Sequence, residues 1–248
     1  MDHPEITKLY KYRAFNEFSL RMLADKEMWL SKPEHFNDPF DCSLMPGSSK
    51  TTDDQTHQLC EIIRELYESE EAEKQISEII QRSTSKPVQE VEDVSITKHM
   101  DDARNSGVFS LSEKNDSIFM WAHYADNHTG FCIEFERRKA KNNFLSHFMC
   151  RKVEYTREYP NLHRIIDLMD VNLFTKAKGW EYEAEWRLVT KIGNIALPLP
   201  APITAIYFGL RADDESIKTV KGLLKDESIQ LYLAKRKQGE FAIEFEEI

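Results

Sequence analysis

The sequence predicts an α+β fold with a mixed, mainly antiparallel sheet at its core. Short alternating apolar and polar runs recur from Leu9 to Phe245, and helical patches fall among them irregularly. That order differs from the regular β-α alternation of a doubly wound sheet. The glycine-rich signatures G-x-G-x-x-G and Walker P-loop are both missing, so those nucleotide-binding modes have no support. The 248 residues suffice for one large domain or two small ones. The pattern points to one domain, 1–248, interrupted by a helical insertion at about 50–106.

Tyr10 and Tyr12 alternate with Lys11 and Arg13, which makes the first strand. Asn16 is an N-cap residue type followed by Glu17, and Phe18, Met22 and Leu23 give one face of a short helix. Met28, Trp29 and Leu30 suggest a second strand. Residues 32–41 contain two prolines and an Asn37-Asp38-Pro39 turn. An aromatic-rich loop of this kind either covers a core or walls a pocket.

Leu59, Ile62, Ile63, Leu66 and Tyr67 then keep helical spacing, as do Ile76, Ile79 and Ile80 and, after Pro87, Val88, Val91, Ile96 and Met100. These define the insertion. Between Asp53 and Asp93 twelve acidic residues face four basic ones, so this segment holds most of the net charge of −10. A charge run of that kind is ordinarily a solvated face. The remainder is nearly neutral and leaves room for a small basic groove, although no dedicated DNA-binding surface is expected.

Residues 108–112 resume strand character, with Ser110 and Ser112 on one side and Phe109 and Leu111 on the other. Residues 117–125 read as a compact helix, almost wholly apolar and therefore buried. Strands are expected at 131–135 and 150–156. Leu162, Ile165, Ile166, Met169 and Phe174 place a helix from Pro160 to about Lys178. Further strands at 203–209, 230–233 and 241–245 and a helix at 216–225 complete the chain.

The stretch 180–189 carries the clearest chemistry. Ala184, Trp186 and Leu188 fall on one side, while Glu183, Glu185 and Arg187 share the other. Such a face is either a surface ion-pair ladder of small energy or a carboxylate pair that does chemistry. The stretch alone leaves both open.

No apolar run is long enough to cross a membrane, and the first residues lack a secretory signal; a cytoplasmic location is expected. Cys42, Cys60, Cys132 and Cys150 are scattered without zinc spacing, which predicts free thiols. No metal is expected. His123, Asp126 and His128 are close in sequence, but their spacing does not put three ligands on one helical face. No G-x-S-x-G elbow activates Ser110 or Ser112.

Five motifs appear in order along nearly the whole chain. They are Leu9-Tyr10-Lys11-Tyr12-Arg13, Phe36-Asn37-Asp38-Pro39-Phe40, Phe109-Ser110-Leu111-Ser112, Met120-Trp121-Ala122-His123-Tyr124-Ala125 with Gly130-Phe131, and Trp180-x-x-Glu183-x-Glu185-Trp186-Arg187. Together they resemble a bacterial family known as domain of unknown function 2971, which has no settled activity.

An arginine on the first strand, a Ser-x-Ser strand and a later Glu-x-Glu are also similar to the pattern of ADP-ribosyltransferases that use NAD. Leu111 stands where that pattern usually has threonine. The resemblance implies an ADP-ribosyltransferase-like fold, NAD as substrate, and a toxin or phage-defence setting. By it, Arg13 holds an NAD phosphate, and Ser110, with Ser112, orders the nicotinamide-ribose pocket. Glu185 binds the ribose hydroxyls beside an oxocarbenium-like transition state, and Glu183 activates the acceptor as a general base. His123 and Tyr124 join the cofactor-binding set, with Tyr124 or Trp121 able to stack on a ring.

Blander roles stand beside these: an ion pair with a glutamate for Arg13, a hydrogen-bonded core position for His123, and a polar strand end for the serines. Two other functions remain open. One is a non-catalytic module binding a nucleotide or a protein, and the other is a hydrolase or nuclease built on His123 and the glutamates.

Overall fold

Alternating tyrosines and cations form the first strand, Lys8–Arg13 (β1), and Asn16 caps the helix that follows, Glu17–Asp25 (α1), by accepting from the Ser19 N–H at 3.0 Å. The computed structural model describes residues 2–43, 100–160, 167–224 and 228–248, with Arg64, Glu73, Lys74, Ile76 and Ser77. The expected insertion over about 50–106 therefore lies outside the described residues except for those five and its last turn, helical at 100–105. Cys60 also lies outside them. Cys42, Cys132 and Cys150 are buried free thiols.

The fold is α+β, as the pattern predicts. Eight strands form one sheet in the order β12-β11-β10-β4-β1-β3-β8-β5. In chain order they are β1, Gly107–Ser112 (β3), Phe131–Glu136 (β4), Cys150–Lys152 (β5), Glu185–Thr190 (β8), Ile203–Phe208 (β10), Gln230–Arg236 (β11) and Ile243–Glu247 (β12). Neighbours run antiparallel except β10 and β11. Glu27–Leu30 (β2) pairs with Ile195–Pro198 (β9), and Glu154–Thr156 (β6) pairs with Thr175–Ala177 (β7).

The large sheet has a discontinuity. β1 runs along β4 through six residue pairs, and β3 along β8 through six. Between β1 and β3 only Tyr10 and Ser112 are in register. Beyond that rung the strands diverge, and consecutive residues of each, 10–13 and 108–112, line one cavity.

Pleating gives the sheet apolar packing on both faces. Leu9, Phe109, Leu111, Phe131, Ile133, Trp186 and Ile206 face α1 and the helix Asp214–Leu223 (α4). On the opposite side Tyr12, Cys132 and Tyr207 pack with Trp121 of the helix Ile118–Tyr124 (α2). Full burial of each large apolar side chain contributes roughly 1.5–3 kcal/mol, so both layers hold the sheet in place.

Four expectations need correction. α2 is not wholly buried: Met120 and Trp121 point inward, whereas Phe119 is 61% exposed. An apolar run is ambiguous here because a helix at a cleft rim shows apolar residues to both core and mouth. Residues 150–156 split into β5 and β6, which belong to different sheets. The helix expected to reach Lys178 spans Asp167–Phe174 (α3) in the described residues and gives way to β7; residues 161–166 lie outside them. The strand expected to include Glu183 starts at Glu185, because Ala184 adopts a left-handed conformation (φ 43°) that ends the 3-10 segment Lys178–Glu183. Among the described residues no helix is long and apolar enough to cross a membrane.

Candidate functional site

The divergence of β1 from β3 opens a cleft of about 1030 Å³. Arg13, Ser110, Ser112, His123, Tyr124, Glu183 and Glu185, the residues singled out from sequence, all line it. They arrive on five separate elements.

At the floor lies a buried charged cluster. Glu183 and Glu185 converge because the left-handed turn at Ala184 swings the end of the 3-10 segment back over the start of β8. Their common partner is Lys176 of β7, whose Nζ donates to Glu183 Oε2 at 2.5 Å and to Glu185 Oε2 at 3.2 Å, and lies 3.5 Å from Asp41 Oδ2. Arg187, fully buried, donates through Nε to Glu185 Oε1 at 2.8 Å and through Nη2 to Asp41 Oδ2 at 2.6 Å. It also donates to the Leu173 carbonyl at 2.9 Å. Three carboxylates thus share two cations, leaving the cluster one positive charge short.

That shortfall separates the two glutamates. Burial pushes both carboxyls up, but at Glu185 the guanidinium of Arg187 and the ammonium of Lys176 prevail and hold it at about 2. The Ser110 hydroxyl adds to the lowering. At Glu183 burial prevails over Lys176, the neighbouring Glu185 charge adds to it, and the carboxyl titrates above its ordinary value. Glu185 is therefore a fixed anion and Glu183 the member that exchanges a proton. Lys176 is held charged well above the usual lysine range, since Glu185, Glu183 and Asp41 overcome its burial.

The rest of the wall orients this pair. The Tyr124 hydroxyl donates to Glu183 Oε1 at 2.5 Å, and burial together with that carboxylate raises its own titration. Ser112 is fully buried and donates to the Glu183 carbonyl at 2.6 Å, so its hydroxyl fixes the backbone of the pair. The Glu185 N–H donates to the Tyr155 hydroxyl at 2.8 Å. Trp180 Nε1 donates to Asp38 Oδ2 at 2.7 Å, and Asn37 Nδ2 reaches the Tyr124 hydroxyl at 3.4 Å. Through these contacts the Asn37-Asp38-Pro39 loop walls the cleft.

His123 is exposed and shares a 3.0 Å hydrogen bond with the Tyr182 hydroxyl at the rim, which corrects the core-histidine alternative. The apolar sequence around it belongs to the buried side of α2. Trp121 is fully buried and cannot stack on a ligand; Tyr124 remains on the cleft wall. Arg13 makes no ion pair with either glutamate, because it projects from the opposite wall, where Nε donates to Ser19 Oγ at 3.1 Å. Its terminal nitrogens have no partner among the described residues.

Sequence reasoning missed Lys176, Asp41 and Lys11. Lys176 sits where the pattern reads as the end of a helix, with no local mark of its role. Asp41 closes the proline loop, whose sequence suggests a cover for the core or a pocket wall but gives Asp41 no part in the charged cluster. Lys11 had a signal: it shares the face of Arg13 by simple alternation. Among the described residues no group of three or more His, Cys, Asp or Glu side chains is placed to hold a metal ion. Where the three carboxylates meet, the Lys176 ammonium supplies the charge.

Residues 120–188 match a family described as Protein of unknown function (DUF2971). The matched span runs from α2 to β8 and includes Tyr124, Lys176, Glu183, Glu185 and Arg187. No curated protein and no solved structure matches the chain.

Proposed function

We propose that this protein is an ADP-ribosyltransferase-like enzyme that cleaves NAD at the nicotinamide-ribose bond. The observation that carries the reading is the pair of adjacent carboxylates with opposed proton affinities at the floor of a cleft whose other wall presents Arg13. Environments that push two titratable groups apart assign distinct chemical roles.

In this reading the bond from ribose C1′ to the nicotinamide nitrogen breaks, and its electron pair leaves on nicotinamide. Positive charge develops on the ribose beside the fixed negative charge of Glu185. The nucleophile of the acceptor bonds to C1′ and gives its proton to Glu183, ionised at that moment and a stronger base than an ordinary glutamate. Tyr124 holds Glu183 in place, and Lys176 and Arg187 keep Glu185 ionised in a buried site. Arg13 takes an NAD phosphate, with Ser110 beside the nicotinamide ribose.

Nicotinamide release from NAD, with cell extract supplying acceptors, tests this directly. Glu183→Gln and Glu185→Gln should each lower turnover by about 100-fold or more, the usual worth of a general base or a preorganised charge. Wild-type rates in both variants would sink the catalytic assignment.

A second reading has one specific observation behind it. Glu185 already spends its oxygens on Arg187 and Lys176, an arrangement that also suits a non-catalytic nucleotide-binding module. NAD that raises the melting temperature without being consumed would favour it.

A further inference from the structure

Lys11 and Arg13 project from one face of β1 into the cleft, two residues apart and thus about 7 Å along the strand. Among the described residues neither has a carboxylate at bonding distance. Lys11 Nζ donates to the Ser110 carbonyl at 2.7 Å and lies 4.6 Å from the centre of the Phe109 ring; Arg13 Nε donates to the Ser19 hydroxyl. Among the described residues the bonding partners of the two cations are neutral. Glu183 and Glu185 act on Lys11 only from a distance, and Lys176 and Arg187 already engage them.

Two like charges side by side under partial burial oppose folding. Burial and the neighbouring Arg13 bring the Lys11 ammonium down to about 7, and burial lowers Arg13 as well. Among the described residues Asp25 and Glu27 also line the cleft, yet no ion pair joins either of them to Lys11 or Arg13. An anionic ligand would relieve the pair.

We propose that Lys11 and Arg13 together form a binding site for two adjacent phosphoryl groups, one for each cation, so that the cleft selects a diphosphate-bridged nucleotide over a monophosphate. This rests on the NAD reading for the nucleotide class alone; the requirement for two phosphoryl groups comes from the spacing of the cation pair. Lys11 supplies a point charge and Arg13 a planar fork, a combination suited to neighbouring phosphate oxygens.

Binding of ADP-ribose, AMP and adenosine by titration calorimetry tests the proposal without any chemical step. ADP-ribose should bind at least about tenfold tighter than AMP, and adenosine weakest, since each charge-assisted contact is worth about a factor of ten or more. Lys11→Met should weaken ADP-ribose by about tenfold or more while raising Tm, because it removes a buried like charge. Lys11→Arg should restore affinity.

The pH profile separates a ligand contact from a structural role. The groups around Lys11 are Arg13 on its own strand, Glu183 on the 3-10 segment, Glu185 on β8 and Lys176 on β7, with Arg21, Asp25, Glu27, His35, Asp41 and His123 also lining the cleft. Wild-type affinity should fall as pH rises from about 6 to about 8.5, as Lys11 loses its proton; with Lys11→Arg the fall should largely vanish. If Lys11→Met lowers Tm and leaves ADP-ribose affinity unchanged, Lys11 is a strut for β3 and the proposal is wrong. Equal binding of AMP and ADP-ribose also overturns it. Selective ADP-ribose binding without NAD turnover leaves it standing and removes the catalytic reading instead.

Discussion

Glu183 and Glu185 respond to acid in opposite directions. Glu185 is held at about 2 in the folded protein, so its stabilisation is complete above its ordinary value of 4.5 and disappears as pH falls from there toward 2. Denaturant midpoints between about pH 5 and about pH 2.5 should show this loss, on the order of 3 kcal/mol, and Glu185→Gln should flatten that part of the curve. Glu183 is raised, so its stabilisation is present while it carries a proton and is lost as pH climbs through its folded value. Glu183→Gln mimics the protonated form, and its stability relative to wild type should improve from pH 5 to pH 8. Arg187→Ala is expected to be far more damaging, by about 3–5 kcal/mol in chemical denaturation, because Asp41 and Glu185 would stay buried with Lys176 alone. None of this was legible in residues 180–189, where Glu-x-Glu-x-Arg reads equally well as an exposed ladder. The difference is burial, imposed by the loop that brings Asp41 from 146 residues away.

Among the elements, α1 and the Ala184 turn bear most directly on the site. Asn16 caps α1 through the Ser19 N–H, and the Ser19 hydroxyl accepts from Arg13. Asn16→Ala should cost about 1 kcal/mol of stability and also loosen Arg13, which nucleotide titration would register as weaker binding. Ala184 takes a left-handed conformation at a cost of roughly 1 kcal/mol. Ala184→Gly should hold or raise Tm, whereas Ala184→Val should lower Tm and disturb the geometry of both glutamates. Gly130 opens β4 against the backbone carbonyl of Arg13, in a space that admits no Cβ. The strands and caps were readable because alternation and Asn16 are local signals. The αL turn was not, since alanine does not announce a positive φ.

For the molecule as a whole, the legible part of the site was the part carried by each strand on its own: Arg13 on β1, the serines on β3, the glutamates at β8. Their meeting in one cleft, and the arrival of Lys176, depended on tertiary pairing that periodicity does not encode. Arg137 illustrates the same limit on the far side, where it is buried and donates to the carbonyls of Asp2, His3, Ile6 and Leu145, tying the start of the chain to the sheet. The rung between Tyr10 and Ser112 also governs the order of assembly. Those residues are about a hundred positions apart; the β1–β4 partners are no nearer in sequence but share six pairs, whereas a single rung recovers the entropy of closure poorly. The two halves of the sheet should therefore form first and join late, and a bound dinucleotide bridging the cleft should slow unfolding more than it speeds folding.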